Sequence, residues 1–200
     1  MRLATVWLVT CLAALRAAAA SDLNAPPVVP SPWEYEVPVD VGAGTLALVG
    51  GIAGGMAIHD DHVGTTTGEL FGGFAGAVLP MVLVQECLPV LGYRNGNPVA
   101  ETWSQLFAFG GIAGGFVATT TLGGLGTWGA GELESGSRSR NGALGGAMIG
   151  AGMGALGSIV LTKWLANHPH DRIGARTWLA TSIVAATATF GYQLGGGGPR

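Results

Sequence analysis

Glycine returns at every fourth residue of this chain, and it does so inside stretches that carry no charge. Gly64, Gly68, Gly72 and Gly76 form one such row, and Gly142, Gly146, Gly150 and Gly154 another. Ala43, Ala47, Gly51 and Gly55 make a third row of small residues, and Gly111, Gly115, Thr119, Gly123, Thr127 and Gly131 a fourth. Residues four apart lie on one face of a helix. A face of glycines is a flat ridge that a second backbone can approach closely, so van der Waals contacts and weak Cα–H···O contacts can hold two helices together.

Such helices need a particular solvent. In water each glycine costs a helix about 1 kcal/mol relative to alanine. In lipid an open backbone costs more, because unpaired amides find no water. The composition favours lipid: of 200 residues 36 are glycine, only 10% are charged, and mean hydropathy is +0.45. Windows free of Asp, Glu, Lys and Arg run over Val41–His59, Leu70–Gln85, Thr102–Gly131, Asn141–Thr162 and Thr177–Pro199. A bilayer-spanning helix takes about 20 mostly apolar residues. The last three windows meet that length, the first is marginal, and the second is short but reaches it by extending to Leu91 if Glu86 faces protein rather than lipid. Trp103 and Trp128 stand near the ends of the third window, Trp164 closes the fourth and Trp178 opens the fifth, as expected of side chains at the headgroup level. The expected fold is all-α: about five short glycine-zipper helices packed as a membrane bundle. The competing architecture is a small transmembrane β-barrel. Continuous apolar runs such as Leu79–Val84, and the scarcity of tyrosine, argue against it.

The N-terminus reads as an export signal. Arg2 precedes an apolar run from Leu3 to Leu15, and Ala18-Ala19-Ala20 supplies a small-x-small cleavage site before Ser21. The expected organisation is a signal peptide at 1–20, a Pro-rich linker with a short strand-like arm at 21–41, the hydrophobic domain at 42–194 and a flexible tail at 195–200. The arm is expected from the alternation in Trp33–Asp40, which Pro38 limits to an edge position. Cleavage removes Arg2 and Arg16 and leaves a net charge of −5. That balance argues against nucleic acid as a partner. Cys87 alone then remains, so no disulfide holds the domain.

At its glycine rows the chain resembles glycine-zipper membrane proteins generally. It also resembles exported Gly/Ala/Leu-rich proteins of bacteria that end in a Gly-Tyr-Glu/Gln-Leu-like tail, here Gly191-Tyr192-Gln193-Leu194. The likeness covers roughly residues 42 to 194. It implies an exported, membrane-embedded protein and carries over no catalytic residue.

Candidate chemistry is sparse. Gly124-x-Gly126-x-x-Gly129 and Gly152-x-Gly154-x-x-Gly157 match the dinucleotide fingerprint, but neither follows a strand, and glycine this abundant produces such matches by chance. His59, Asp61 and His62 are the most metal-like group, with His168, His170 and Asp171 second. A solvated turn is the simpler reading of each, and no cofactor or metal is expected. Glu69 and Glu86 flank the second window. Carboxylates buried in a membrane are expensive unless paired, and are often functional. Glu86, beside Gln85 and before Pro89, is the candidate for a polar path.

These readings converge on a non-enzymatic, structural or oligomerising protein of the cell envelope, with membrane lipid and further copies of itself as partners. The alternative is a pore or transport component in which Glu86 or the His59–His62 loop lines a path. The helix-packing residues are expected to be Gly51, Gly55, Gly64, Gly68, Gly72, Gly76, Gly111, Gly115, Gly142, Gly146, Gly150 and Gly154. One prediction follows from the leader alone. N-terminal sequencing of the protein from its native membranes should return Ser21 or a residue within two of it, and an intact Met1 would refute cleavage.

Overall fold

The computed structural model describes residues 32–59, 63–91, 96–165 and 173–198. The expected signal peptide, most of the linker, Asp60–His62 and His168–Asp171 lie outside the described residues, as do the side chain of His59 and the surroundings of Gly64. Five helices follow in order: α1 Pro32–His59, α2 Val63–Cys87, α3 Pro98–Glu134, α4 Arg140–Leu165 and α5 Ile173–Leu194. A 3-10 turn, Leu88–Val90, follows α2. Among the described residues the only sheet-like pairing is one isolated bridge, Ser137 with Gly197. The chain is an all-α bundle, and the barrel alternative is set aside.

Local chemistry explains where helices begin and end. Asn97 caps α3, its side-chain oxygen accepting from the N–H groups of Val99 at 3.2 Å and Ala100 at 3.3 Å. Pro98 fills the first helical position, where no N–H is needed. Glu101 reaches back to the Gly96 N–H at 2.8 Å. At the other end of α3 the Gly136 N–H bonds to the Gly131 carbonyl at 3.0 Å, with Gly136 at φ 73°, the left-handed stop that glycine takes without a Cβ penalty. Ser139 then caps α4 by accepting from Gly142 N–H at 3.2 Å.

Two expectations are corrected here. The arm Trp33–Asp40, expected to be strand-like, belongs to α1. A lone strand has no ladder to satisfy its amides, whereas a helix satisfies its own. The tail is also ordered from its start. The Arg138 N–H bonds to the Gly196 carbonyl at 2.8 Å and the Gly197 N–H to the Tyr192 carbonyl at 2.9 Å, so residues 195–197 fold back over the α3–α4 turn.

Backbone-to-backbone crossings organise the bundle. α2 packs most extensively on α3, and α4 on α5. In the first pair a Cβ at Gly72 would strike the Gly126 carbonyl, and one at Gly126 the Gly72 carbonyl. In the second pair Gly146 and Gly191 meet reciprocally in the same way, as do Gly142 and Gly195. Gly150 faces the Thr187 carbonyl, and Gly154 faces Val184 and the Thr187 hydroxyl. The α3 row continues this logic: Gly111 faces Cys87, Gly115 faces Val84 and Pro80, and Gly123 faces Val184 and Ala77.

The last helix, α5, sits among the others. It touches α2, α3 and α4, while Gly44, Gly51 and Gly54 of α1 lie against its Trp178, Ala186 and Phe190. The ring of Phe74 of α2 lies 5.2 Å from that of Trp178, the two planes tilted by 60°. The core is built of small side chains: Ala77, Ala151, Ala155, Ala180 and Ala188, with Met81, Val84 and Val184. Large apolar residues point outward instead, with Leu79 79%, Ile149 70% and Phe107 73% exposed. An outward face this rich in large apolar side chains is compatible with an apolar surrounding. Among the described residues three helices are long and apolar enough to cross a membrane: Thr65–Cys87, Pro98–Glu134 and Arg140–Thr162. The first window yields a shorter apolar segment, Val41–Ala57. α5, which carries the fifth window, is rich in buried Thr, Ser and Gln because protein shields it on several sides.

The crossings generate a prediction with opposite signs at neighbouring positions. Gly145 has open space where a Cβ would go, whereas Gly146 meets the Gly191 backbone. Gly145→Ala should leave the unfolding midpoint in detergent unchanged or raise it slightly, since alanine is the better helix former. Gly146→Ala should lower it, and Gly150→Leu should cost about 1–3 kcal/mol, toward the upper end. Ile149→Leu and Met153→Leu, both at outward positions, should be mild. Equal midpoints for Gly150→Leu and wild type would mean that α4 and α5 do not meet at this face.

Candidate functional site

Thr66, Glu69 and Gly73 recur along α2 at intervals of three and four, which puts them on one face. That face turns inward. Glu69 is fully buried, and the side-chain amide of Gln193 on α5 donates to both of its carboxylate oxygens at 2.8 Å each. Gln193 is itself fully buried. The two residues are 124 positions apart in the chain and meet because the start of α2 and the end of α5 share one end of the bundle.

Hydroxyl groups bracket this pair. A Cβ at Gly55 would meet the methyl of Thr66 and, at 3.6 Å, that of Thr189. One turn further along α2, the Thr127 hydroxyl of α3 lies against Gly73, and the Ala185 backbone of α5 closes on the same spot. Thr66, Thr127 and Thr189 are fully buried, and their hydroxyl oxygens have no hydrogen-bond partner. Leu70, beside Glu69, packs against Gly51 of α1.

The layer is capped by Tyr192, next to Gln193. Its ring lies against Gly131 and Gly197, where any side chain would collide with it. Its hydroxyl donates to the Gly136 carbonyl at 2.9 Å. Tyr192 thus ties α5, the α3–α4 turn and the tail together. More carboxylates gather at this end. Glu132 bonds to the Ser137 hydroxyl, and the Glu134 carboxylate rests against Gly68. Glu69 and Glu132 are both within electrostatic reach of the Tyr192 hydroxyl. Arg140 lies over the Trp128 ring at 5.2 Å.

Of the two carboxylates flanking the second window, the structure encloses Glu69 and leaves Glu86 exposed near the end of α2. Glu86 therefore lines no interior path in this arrangement. What a Cβ would meet at the remaining named glycines can be stated one by one. In addition to those above, Gly55 meets α2 and α5, Gly68 the end of α3, and Gly76 the Leu122 carbonyl. Among the described residues no group of three His, Cys, Asp or Glu side chains could hold a metal. Tyr192 and Gln193 were legible in the sequence only as part of a tail motif, without a role; the signal for one was a long polar side chain and a phenol in a charge-free helix of small residues. No family model, no curated protein and no solved structure matches this chain.

The Glu69–Gln193 pair makes a testable energetic claim. Removing one partner takes both of these hydrogen bonds from the other, whereas replacing both with apolar groups of similar shape leaves no polar group in want of them. Gln193→Met alone should destabilise by about 1–3 kcal/mol. The double variant Glu69→Met/Gln193→Met should lose clearly less than the two single changes added together. Additive losses in detergent unfolding would show that the two side chains do not depend on each other.

Proposed function

We propose that this protein is a non-enzymatic, membrane-embedded structural element of the cell envelope, exported and then held in lipid by its outward apolar surface. The observation that carries the reading is the inverted build: small residues and glycine crossings inside, large apolar residues outside. The glycine rows act within one chain, so the bundle needs no second copy to satisfy them. Oligomers would form through the outer faces, where Gly110, Gly114, Gly145 and Gly157 have open space beside them. Membrane lipid is the other partner of those faces.

A second reading has one specific observation in its favour. An ionisable residue buried in a membrane bundle is a functional group by default, and Glu69 is buried. In a pore or transport component Glu69, which is buried where Glu86 is exposed, would line the path; the His59–His62 loop, the other candidate, lies outside the described residues.

Two measurements separate the readings. The protein should remain with envelope membranes through an alkaline carbonate wash, and reconstituted planar bilayers should stay electrically silent. A reproducible conductance that Glu69→Gln alters and Glu86→Gln does not would replace the structural role with the transport role.

A further inference from the structure

Helix α3 is longer than the bundle it belongs to, and its contacts fix the heights of its neighbours. Gly111 meets Cys87, the last residue of α2. Gly152 of the antiparallel α4 meets Thr120, and counting on from there brings Leu165, the end of α4, level with Phe107. Toward Pro98 the first turns of α3 therefore stand beyond both neighbours. Burial agrees: no residue from Pro98 to Phe107 is buried, and Ala108 is the first that is. At 1.5 Å per residue this overhang is about 15 Å long.

The overhang has two faces. Glu101 and Ala108 continue the face that carries Gly115 against the bundle. The opposite face carries Val99, Trp103, Leu106, Gly110, Ala113 and Val117, at steps of four, three, four, three and four, and all six are exposed. Alternating steps of three and four are the seam of two helices packed side by side. Phe107 and Phe109 flank the seam, also exposed, and no charged residue stands on it or directly beside it.

Lipid suits only the lower part of this seam. Glu86, beside Cys87, and Arg176, level with Thr162 of α4, both stand near the height of Gly110 and Gly111. A hydrocarbon core takes about 20 residues of helix, and that length below Gly111 ends at Gly131, next to Glu132 and Glu134. Headgroups add only about 5–8 Å on each side. Trp103 stands about 12 Å above Gly111, and Val99 higher still. An apolar face held in water favours association.

A second copy of α3 fits the seam. Copies inserted the same way round hold their overhangs at one height, so the seams meet in parallel and each residue faces its twin across a two-fold axis. Gly110 and Ala113 let the helices approach within lipid, and Trp103 and Leu106 supply the hydrophobic drive above it. Val99, Trp103, Leu106, Phe107 and Val117 are each more than half exposed. Together they offer on the order of 500 Å² per copy, a large part of the ~800 Å² per partner of a standard interface.

We propose that α3 forms the contact of a parallel homodimer, made along Val99–Val117 and continuing past the membrane on the side of Pro98. The proposal rests on the membrane-embedded reading and gives its oligomer one defined face.

Disulfide cross-linking of the full chain in its membranes tests it, in a background free of native cysteine (Cys11→Ala, Cys87→Ser). Trp103→Cys and Leu106→Cys should each give dimers on mild oxidation. Gln105→Cys, on the side of α3 away from the seam, and Ile149→Cys, on the outward face of α4, should give several-fold less. The dimer should persist when the protein is diluted several-fold in lipid, and Leu106→Glu should abolish it with Trp103→Cys as reporter. Equal cross-linking at all four positions, or a dimer that dilution removes, would mean chance collision and overturn the proposal. No dimer at either seam position would overturn it too, and shielding of those cysteines from a membrane-impermeant maleimide would then give the seam to lipid. Leu79→Cys keeps the membrane reading separate. It should resist the same maleimide, and its reaction would sink that reading, whereas the seam is judged by the dimers alone.

Discussion

The close approach of two backbones at paired glycines is the contact on which the rest of this structure depends. Gly72 with Gly126 sets the distance between α2 and α3, and Gly146 with Gly191 does the same for α4 and α5. Lipid is as apolar as leucine and gives helices no hydrophobic reason to associate, so van der Waals contact and Cα–H···O bonds must do so. Both fall off steeply with distance. A single methyl group at a crossing therefore removes several contacts at once, whereas the same methyl at Gly145 touches nothing.

Close crossings dictate what else the interior can contain. Helices pressed together leave room for alanine, threonine and serine, and Ala143, Ala147, Ala151 and Ala155 accordingly line the inward face of α4. Bulk has to go elsewhere, which puts Leu156, Val160 and Met153 of the same helix outside. The polar composition of α5 follows as well. Thr181, Ser182, Thr189 and Gln193 would be costly against lipid, but α1 through α4 stand between them and it. Its lower hydropathy is a sign of its position.

The period of four was legible in the sequence because it is local: a helix face can be read from spacing alone. Gly142–Gly154 and Gly111–Gly131 needed no knowledge of the fold. Their partners were not legible. Gly126 lies opposite Gly72, and Gly191 and Gly195 lie opposite Gly146 and Gly142; the packing of one helix on another is what gives them a role. The carboxylates failed for a related reason. Glu69 and Glu86 look alike at the two ends of one apolar window, and which of them is enclosed depends on Gln193, 124 residues away. The arm Trp33–Asp40 misled because alternation over eight residues is weak beside the continuity of a 28-residue helix. The tail misled because four glycines read as freedom, whereas here Gly196 at φ 100° turns the chain back onto Ser139.

Most of the bundle has no freedom to change state. A shift of α4 against α5 would have to open several glycine contacts together, and a rotation would drive Ile149 or Met153 into a space sized for hydrogen. The Glu69 layer is different in kind. It is held by side chains whose donors and acceptors can be exchanged by turning single bonds, with no backbone displaced. Its polar groups also sit at the end of the bundle where Tyr192, the α3–α4 turn and the tail meet through hydrogen bonds, in contrast to the glycine packing of the middle. Midway along the bundle, at Gly123, the nearest groups are instead the hydrocarbon of Val184, Ala77 and Ala151.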